Sequence, residues 1–437
     1  MSTVTETAIN EGQETYEEEV RRNLPRNYAV HCVEGGLFIG GIAFVAPETV
    51  LPKVVESLQG PTWLIAAVPM MMKLGFVIPT LFTAHLVERW PNVKPAVLLS
   101  GFFQRVAFLA PAVILSFFAD SHPTWALASV ALAPLLSGVF GGMTMTAWLE
   151  LVARTIPENR RSSVWAIRFI ISSMIGIGAG GIISSVLTHY PGPTGYGILY
   201  FILFGFLTAS YFIFALIRET SPPVDRDHAY DNALSKNLKS IPGLIRSDVD
   251  LRNYLITRSL MNGVYIMIPF LSIHALRVLE QPESFVGYLV MSNMIGGIAG
   301  NLMAGYLGDT VGGKVVMILS RLSFLVIAIW TSFATSTEEY LAIFFLFGAA
   351  FFANQVGTTT LCIELCPQKR RATYLGIMAT LTAPTMVLSS LLSTFLWNGW
   401  ENYSFLGLAT GIAMVISLLY LMRIEEPRGR SLGHDTL

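Results

Sequence analysis

Charge is scarce in this chain. Asp, Glu, Lys and Arg make up 13% of 437 residues, against roughly 25% in ordinary soluble domains. A water-soluble protein of this length needs charge to cover its surface, so the shortage excludes that class. Cysteine is scarce too. The three, Cys32, Cys362 and Cys366, lie in or beside apolar runs, and no His joins the two spaced four apart, so they pack rather than hold zinc. The net charge is −1, which leaves no basic footprint for nucleic acid. No phosphate-binding G-x-x-x-x-G-K-[ST] segment occurs, and the seven His are scattered. Residues 1–26 are polar, with Glu17, Glu18 and Glu19 ahead of Arg21, Arg22 and Arg26, unlike a secretory signal. The first apolar run is therefore expected to insert uncleaved.

What is abundant is hydrophobic sequence, 53% of residues, with a mean hydropathy of +0.57. It is arranged in runs of about 20 residues, long enough as helix to cross a ~30 Å hydrocarbon core. These runs predict an all-α membrane protein with twelve spans. Spans 1–6 are placed at 28–55, 62–86, 95–118, 125–153, 163–188 and 196–217. Spans 7–12 are placed at 253–278, 285–307, 314–335, 339–365, 372–397 and 404–423. The expected division is an N-terminal tail (1–27), a six-helix bundle (28–217), a polar linker (218–252), a second six-helix bundle (253–423) and a C-terminal tail (424–437). The linker holds Pro222, Pro223 and Pro242, and its middle is expected to form an amphipathic surface helix around Asn232–Arg246.

Lys and Arg concentrate in one set of loops: Arg89, Lys94, Arg154, Arg160, Arg161, Lys314, Lys369, Arg370 and Arg371. With an even span count both tails and the linker fall on that side, which the positive-inside rule makes cytoplasmic.

The two halves repeat. Ala84-His85-Leu86-Val87-Glu88-Arg89 with Lys94 corresponds to Gly305-Tyr306-Leu307-Gly308-Asp309-Thr310 with Lys314. Gln104-Arg105 corresponds to Ser320-Arg321. Glu150-Leu151 with Pro157 to Arg161 corresponds to Glu364-Leu365 with Pro367 to Arg371. The 305–314 segment closely resembles the loop motif G-x-L-x-D-R-x-G-R-R of the major facilitator superfamily, departing from it at Thr310, and the P-x-x-R-R loops are similar to that superfamily as well. The resemblance covers roughly 28–423. It implies two pseudo-symmetric six-helix bundles that rock about a central cavity lined by spans 1, 4, 7 and 10, with spans 2, 5, 8 and 11 shaping the gates.

Ionisable groups inside a span cost roughly 2.5–3.5 kcal/mol each on insertion scales and need a partner or a watery cavity. Glu34, beside His31 and Gly35-Gly36, is either a coupling carboxylate that takes up a proton or half of an ion pair with an arginine of a neighbouring span. Lys73 either faces the cavity or pairs with an acid, Glu34 among them. Arg258 and Asn262 share a helix face, with Tyr265 following. Asn354, Gln355 and Thr358 form a polar cluster that either lines the cavity or bonds helices together. Charges that recur in both halves fit a gating or structural network: Glu88, Arg89, Glu150 and Arg168 in the first half, and Gly305, Asp309, Lys314, Arg321 and Glu364 in the second.

Gly176-Ile177-Gly178-Ala179-Gly180-Gly181 looks like a dinucleotide loop but lies inside a span, where small residues permit close helix packing. The expectation is a monomeric secondary active transporter for a small solute in the plasma membrane, multi-pass, with no cofactor and no enzymatic activity, and with protons as the candidate coupling ion. An exporter of amphipathic compounds (17 Met and 27 Phe) and a non-transporting sensor in the same fold are the competing readings.

Overall fold

The computed structural model describes residues 2–87, 92–220, 243, 245–365, 371–400 and 402–425. Twelve helical passes follow one another, with no strand among the described residues. Ten stretches are long and apolar enough to cross a membrane. The other two passes are span 2, Thr62–Val87, whose part Thr62–Val77 is apolar, and span 11, Arg371–Trp400. The expected linker helix lies almost wholly outside the described residues.

Three spans that the sequence presents as single helices are broken, span 3 briefly at Ala107-Phe108 between Lys94–Val106 and Leu109–Phe117. Span 1 runs as helix over Ser2–Ile42, tightens to a 3-10 turn at Ala43–Val45 and resumes at Val50–Ser57. Pro47 sits in the gap; it lacks an N–H and disfavours helix at Ala46 before it. Span 7 consists of Val249–Met261 and Val264–Val278, interrupted at Asn262-Gly263. Neighbours satisfy the groups freed there: Thr410 donates to the Gly263 carbonyl (3.2 Å), and Asn262 donates to the Thr382 carbonyl (2.9 Å) and to Thr385 Oγ1 (2.8 Å).

Packing follows the repeat. Span 2 packs on span 4, span 3 on span 6 and span 1 on span 6; span 8 packs on span 10, span 9 on span 12 and span 7 on span 12. Between the halves, span 5 crosses span 8 and span 2 crosses span 11, so each crossing mirrors the other. The 5–8 crossing is backbone against backbone. A Cβ on Gly180 would lie 2.5 Å from the Gly287 carbonyl oxygen, and one on Gly287 would lie 2.3 Å from that of Gly180. The glycine run set aside as a false dinucleotide loop thus serves close approach of the two halves.

The two ends of the bundle differ. The end bearing the chain termini is called here the terminal end, the other the far end. At the far end one continuous apolar core joins both halves, from Phe44 and Val54 through Tyr200 to Phe270, Leu289 and Phe344. Toward the terminal end the core divides into smaller clusters, each confined to one half: Val30, Val97 and Leu151 in one, Leu251, Tyr254 and Leu361 in another.

Candidate functional site

The ties that cross between the halves repeat this asymmetry. Ser272 donates to the Thr49 carbonyl (2.9 Å), Arg277 pairs with Glu56 (2.6 Å), Lys53 with Glu283 (3.5 Å), and Tyr196 donates to Glu283 (3.1 Å). All lie at the far end. Deeper in, Lys73 of span 2 pairs with Glu48 (3.3 Å) in the break of span 1, donates to the Tyr265 hydroxyl of span 7 and stands 4.5 Å from the Phe351 ring of span 10. This cluster is a polar floor linking four spans. Among the described residues no hydrogen bond or ion pair joins the halves on the terminal side of it. The cleft is therefore shut at the far end, and toward the terminal end the described apolar core is split between the halves. Sequence reasoning missed Glu48 as the acid that serves Lys73. An acid directly after a proline in an apolar run was the available signal, because it marks a break rather than a helix interior.

A cavity of about 300 Å³ penetrates the first half, bounded by all six of its spans. Its charged wall is built on Glu34, 5% exposed. One carboxylate oxygen accepts from Arg105 Nη2 of span 3 (3.4 Å), and the other from Arg168 Nη1 of span 5 (3.3 Å). Ser210 of span 6 accepts from Arg105 (3.0 Å). Gly35 leaves the room Arg168 occupies, since a Cβ there would fall 2.0 Å from the guanidinium. The rest of the wall is aromatic. Arg168 lies 4.9 and 5.2 Å from the Trp148 and Trp165 ring centres, Arg105 5.1 and 5.5 Å from those of Phe38 and Tyr211. Two guanidiniums share one carboxylate, so the cluster keeps one positive charge in excess inside a low-dielectric bundle.

The remaining expected residues divide plainly. Arg168 meets Glu34, whereas Glu150 pairs with Arg154 of its own helix (2.8 Å); Arg168 starts deeper in its span than Glu150 does. Arg154 also holds Glu219 (3.1 Å), which accepts the backbone N–H groups of Val93 (2.8 Å) and Lys94 (2.9 Å) at the start of span 3. Lys94 donates to the carbonyls of Ala215 (2.8 Å) and Ile217 (2.7 Å) at the end of span 6, and Lys314 does the same to Ile424 (2.6 Å) at the end of span 12. The repeated loop lysine thus caps the carbonyl end of the last helix in each half. Asn354 accepts from Arg321 and from Thr358 (3.3 Å), both buried, so this pair faces into the second half. Gln355 is exposed, and Arg258 is half-buried one turn from Tyr254. Gly305 has nothing within 4 Å of a Cβ position. Asp309 and Glu364 stand at the terminal ends of spans 8 and 10. Glu88 and Arg89 lie outside the described residues.

A twelve-pass bundle of two like halves around a cleft shut at one end is an architecture shared with solved membrane transporters. Comparison with known proteins agrees. The family model of the major facilitator superfamily matches residues 254–436, the second half of the chain. Solved structures of the same fold include the nucleoside transporter NupG, with a TM-score of 0.73 at 12% identity over 91% of this chain and 100% of that one. A D-xylose-proton symporter gives 0.71 at 12% identity over 92% and 98%. Among curated proteins, the 4-hydroxybenzoate transporter PcaK of Pseudomonas aeruginosa is 25% identical over 146 residues, which span 32% of this chain and 32% of that relative.

Proposed function

We propose that this protein is a secondary active carrier that moves a small organic anion with an apolar or aromatic body, together with a proton, by alternating access. The observation that carries the reading is the cavity of the first half. An excess positive charge set among Phe38, Trp148, Trp165 and Tyr211 offers a carboxylate two guanidiniums and offers the solute body aromatic faces. The relative named for 4-hydroxybenzoate transport supports this class of solute.

The geometry is compatible with a coupling step, which we include in the proposal. A solute carboxylate that takes Arg105 or Arg168 must take it from Glu34. Glu34, left in the bundle with fewer cations, is then the group on which a proton replaces the lost charge. Anion and proton enter together when the floor at Lys73, Glu48 and Tyr265 parts, and they leave through the terminal end. In this reading the terminal end, rich in Lys and Arg, faces the cytoplasm, and the protein works as a monomer.

The test is uptake of labelled 4-hydroxybenzoate, D-xylose and a nucleoside into proteoliposomes, with and without an inward proton gradient. Gradient-driven uptake of the aromatic acid alone is expected. Uptake of the neutral solutes alone would overturn the anion class. In Glu34→Gln, dependence on the proton gradient should vanish while exchange of internal for external anion persists. A variant that keeps its pH dependence would remove Glu34 from coupling.

A further inference from the structure

Each half carries one arginine in the middle of its third span, Arg105 and Arg321, but the two are not neutralised alike. The halves can be superposed by their own hydrogen bonds. Asn27 Oδ1 accepts the N–H of Arg218 (2.9 Å), just after Ile217 at the end of span 6. Asp250 Oδ1 accepts the N–H of Glu425 (3.3 Å), just after Ile424 at the end of span 12. Asn27 and Asp250 are thus counterparts, and seven residues on, so are Glu34 and Thr257. Their contacts confirm the match: Ser210 of span 6 donates to Glu34 (3.5 Å), while Ser417 of span 12 and Thr257 each donate to the other's carbonyl (3.0 and 3.2 Å).

A hydroxyl therefore stands in the second half where the first has a carboxylate. Arg321, 1% exposed, donates from Nη1 to Asn354 and from Nε to Ser417 Oγ (3.4 Å), both neutral. Its Nη2, the same atom that in Arg105 reaches Glu34, has no partner. Nor does the sequence of the second half place an acid that could supply the missing charge. The acids from the start of span 7 onward are Asp248, Asp250, Glu280, Glu283, Asp309, Glu338, Glu339, Glu364, Glu401, Glu425, Glu426 and Asp435, all at or beyond the ends of spans, whereas Arg321 is the ninth residue of an 18-residue helix. Leaving a buried guanidinium uncompensated is strongly unfavourable, and a water at Nη2 would satisfy its hydrogen but not its charge.

We propose that the second half holds a small inorganic monovalent anion, of the size and charge of chloride, against Arg321 Nη2, among Thr257, Asn354 and Ser417. The enclosure of Arg321 favours a monatomic ion over an organic carboxylate, which the cavity of the first half is large enough to accept. The anion then takes the part that Glu34 plays on the other side, as a removable counter-charge.

The experiment is thermal unfolding of the purified full chain in sodium chloride and in sodium gluconate at equal ionic strength. Chloride is expected to raise the melting temperature saturably, as a ligand of the folded state does. Asn354→Asp, which installs a fixed carboxylate beside the guanidinium, is expected to melt alike in both salts; Thr257→Glu serves the same purpose should the first variant not accumulate. Identical melting of the unmodified protein in the two salts overturns the proposal and leaves water at Nη2. A full chloride response in the carboxylate variants also overturns it, placing the ion elsewhere, for instance at Arg105 and Arg168. Crystals grown in bromide decide the position without any variant: an anomalous peak beside Arg321 supports the site, and bromide bound only in the first half refutes it.

Discussion

The first half sets a carboxylate of its own between two buried arginines; the buried arginine of the second half meets only neutral side chains among the described residues. Arg105 and Arg168 close on Glu34, while Arg321 meets an amide and a hydroxyl. Two bundles with the same helix order and the same packing pairs have thus been given different electrostatic work. A repeated charge keeps its place in the scaffold, and what differs is the partner it is offered. Repetition of a residue therefore says where it sits, and its partner says what it does.

The comparison can be broken most sharply at the two counterpart positions. Glu34→Ala removes the charge shared by two buried guanidiniums and is expected to destabilise the protein by about 3–5 kcal/mol, as breaking a buried pair does. Thr257→Val removes a hydroxyl that bonds only a carbonyl, at a cost of about 1 kcal/mol. Denaturant unfolding of both variants in one detergent measures the gap, and equal costs would show that the halves are electrostatically alike. Where the halves are built alike, they should respond alike. Gly138→Ala would set a Cβ 2.1 Å from the Met72 carbonyl oxygen, and Gly348→Ala would set one 1.9 Å from that of Asn293. Each is expected to cost about 1–3 kcal/mol, against no measurable effect for Gly305→Ala, whose surroundings are open. The smallest effect on stability belongs to the far end. Arg277→Ala breaks an exposed pair with Glu56 and should cost under about 1 kcal/mol, yet it loosens one tie of the closed end. A cysteine placed at Thr49, buried behind that tie, should then react faster with an impermeant thiol reagent added from the far side. An unchanged rate would assign closure to the apolar core alone.

Span number and order were legible in the sequence because they depend on lengths of apolar run, a local property. The breaks in spans 1 and 7 were half legible. Pro47 was visible, but a proline in a membrane helix can kink or interrupt it, and only the neighbours that take up the freed backbone groups decide which. Asn262-Gly263 gave less warning still. At the site, Glu34 was legible as an acid inside a span with an arginine partner among its readings, but its two partners come from spans 3 and 5. Pairing across 71 and 134 residues is set by which helix faces meet, and no local pattern encodes that. Arg168 was grouped with Glu150 in one gating or structural network, and its depth in the span takes it to Glu34 instead. Lys73 was recognised, while Glu48 escaped notice because it lay inside what looked like continuous helix.

The contact of Gly180 with Gly287 has a mechanical consequence. Most helices that cross do so with side chains lodged as teeth between teeth, and turning one against the other requires those teeth to disengage. At this crossing two bare backbones touch, so the halves can roll on each other as smooth bearings do, with the load of locking left to the ties at the far end.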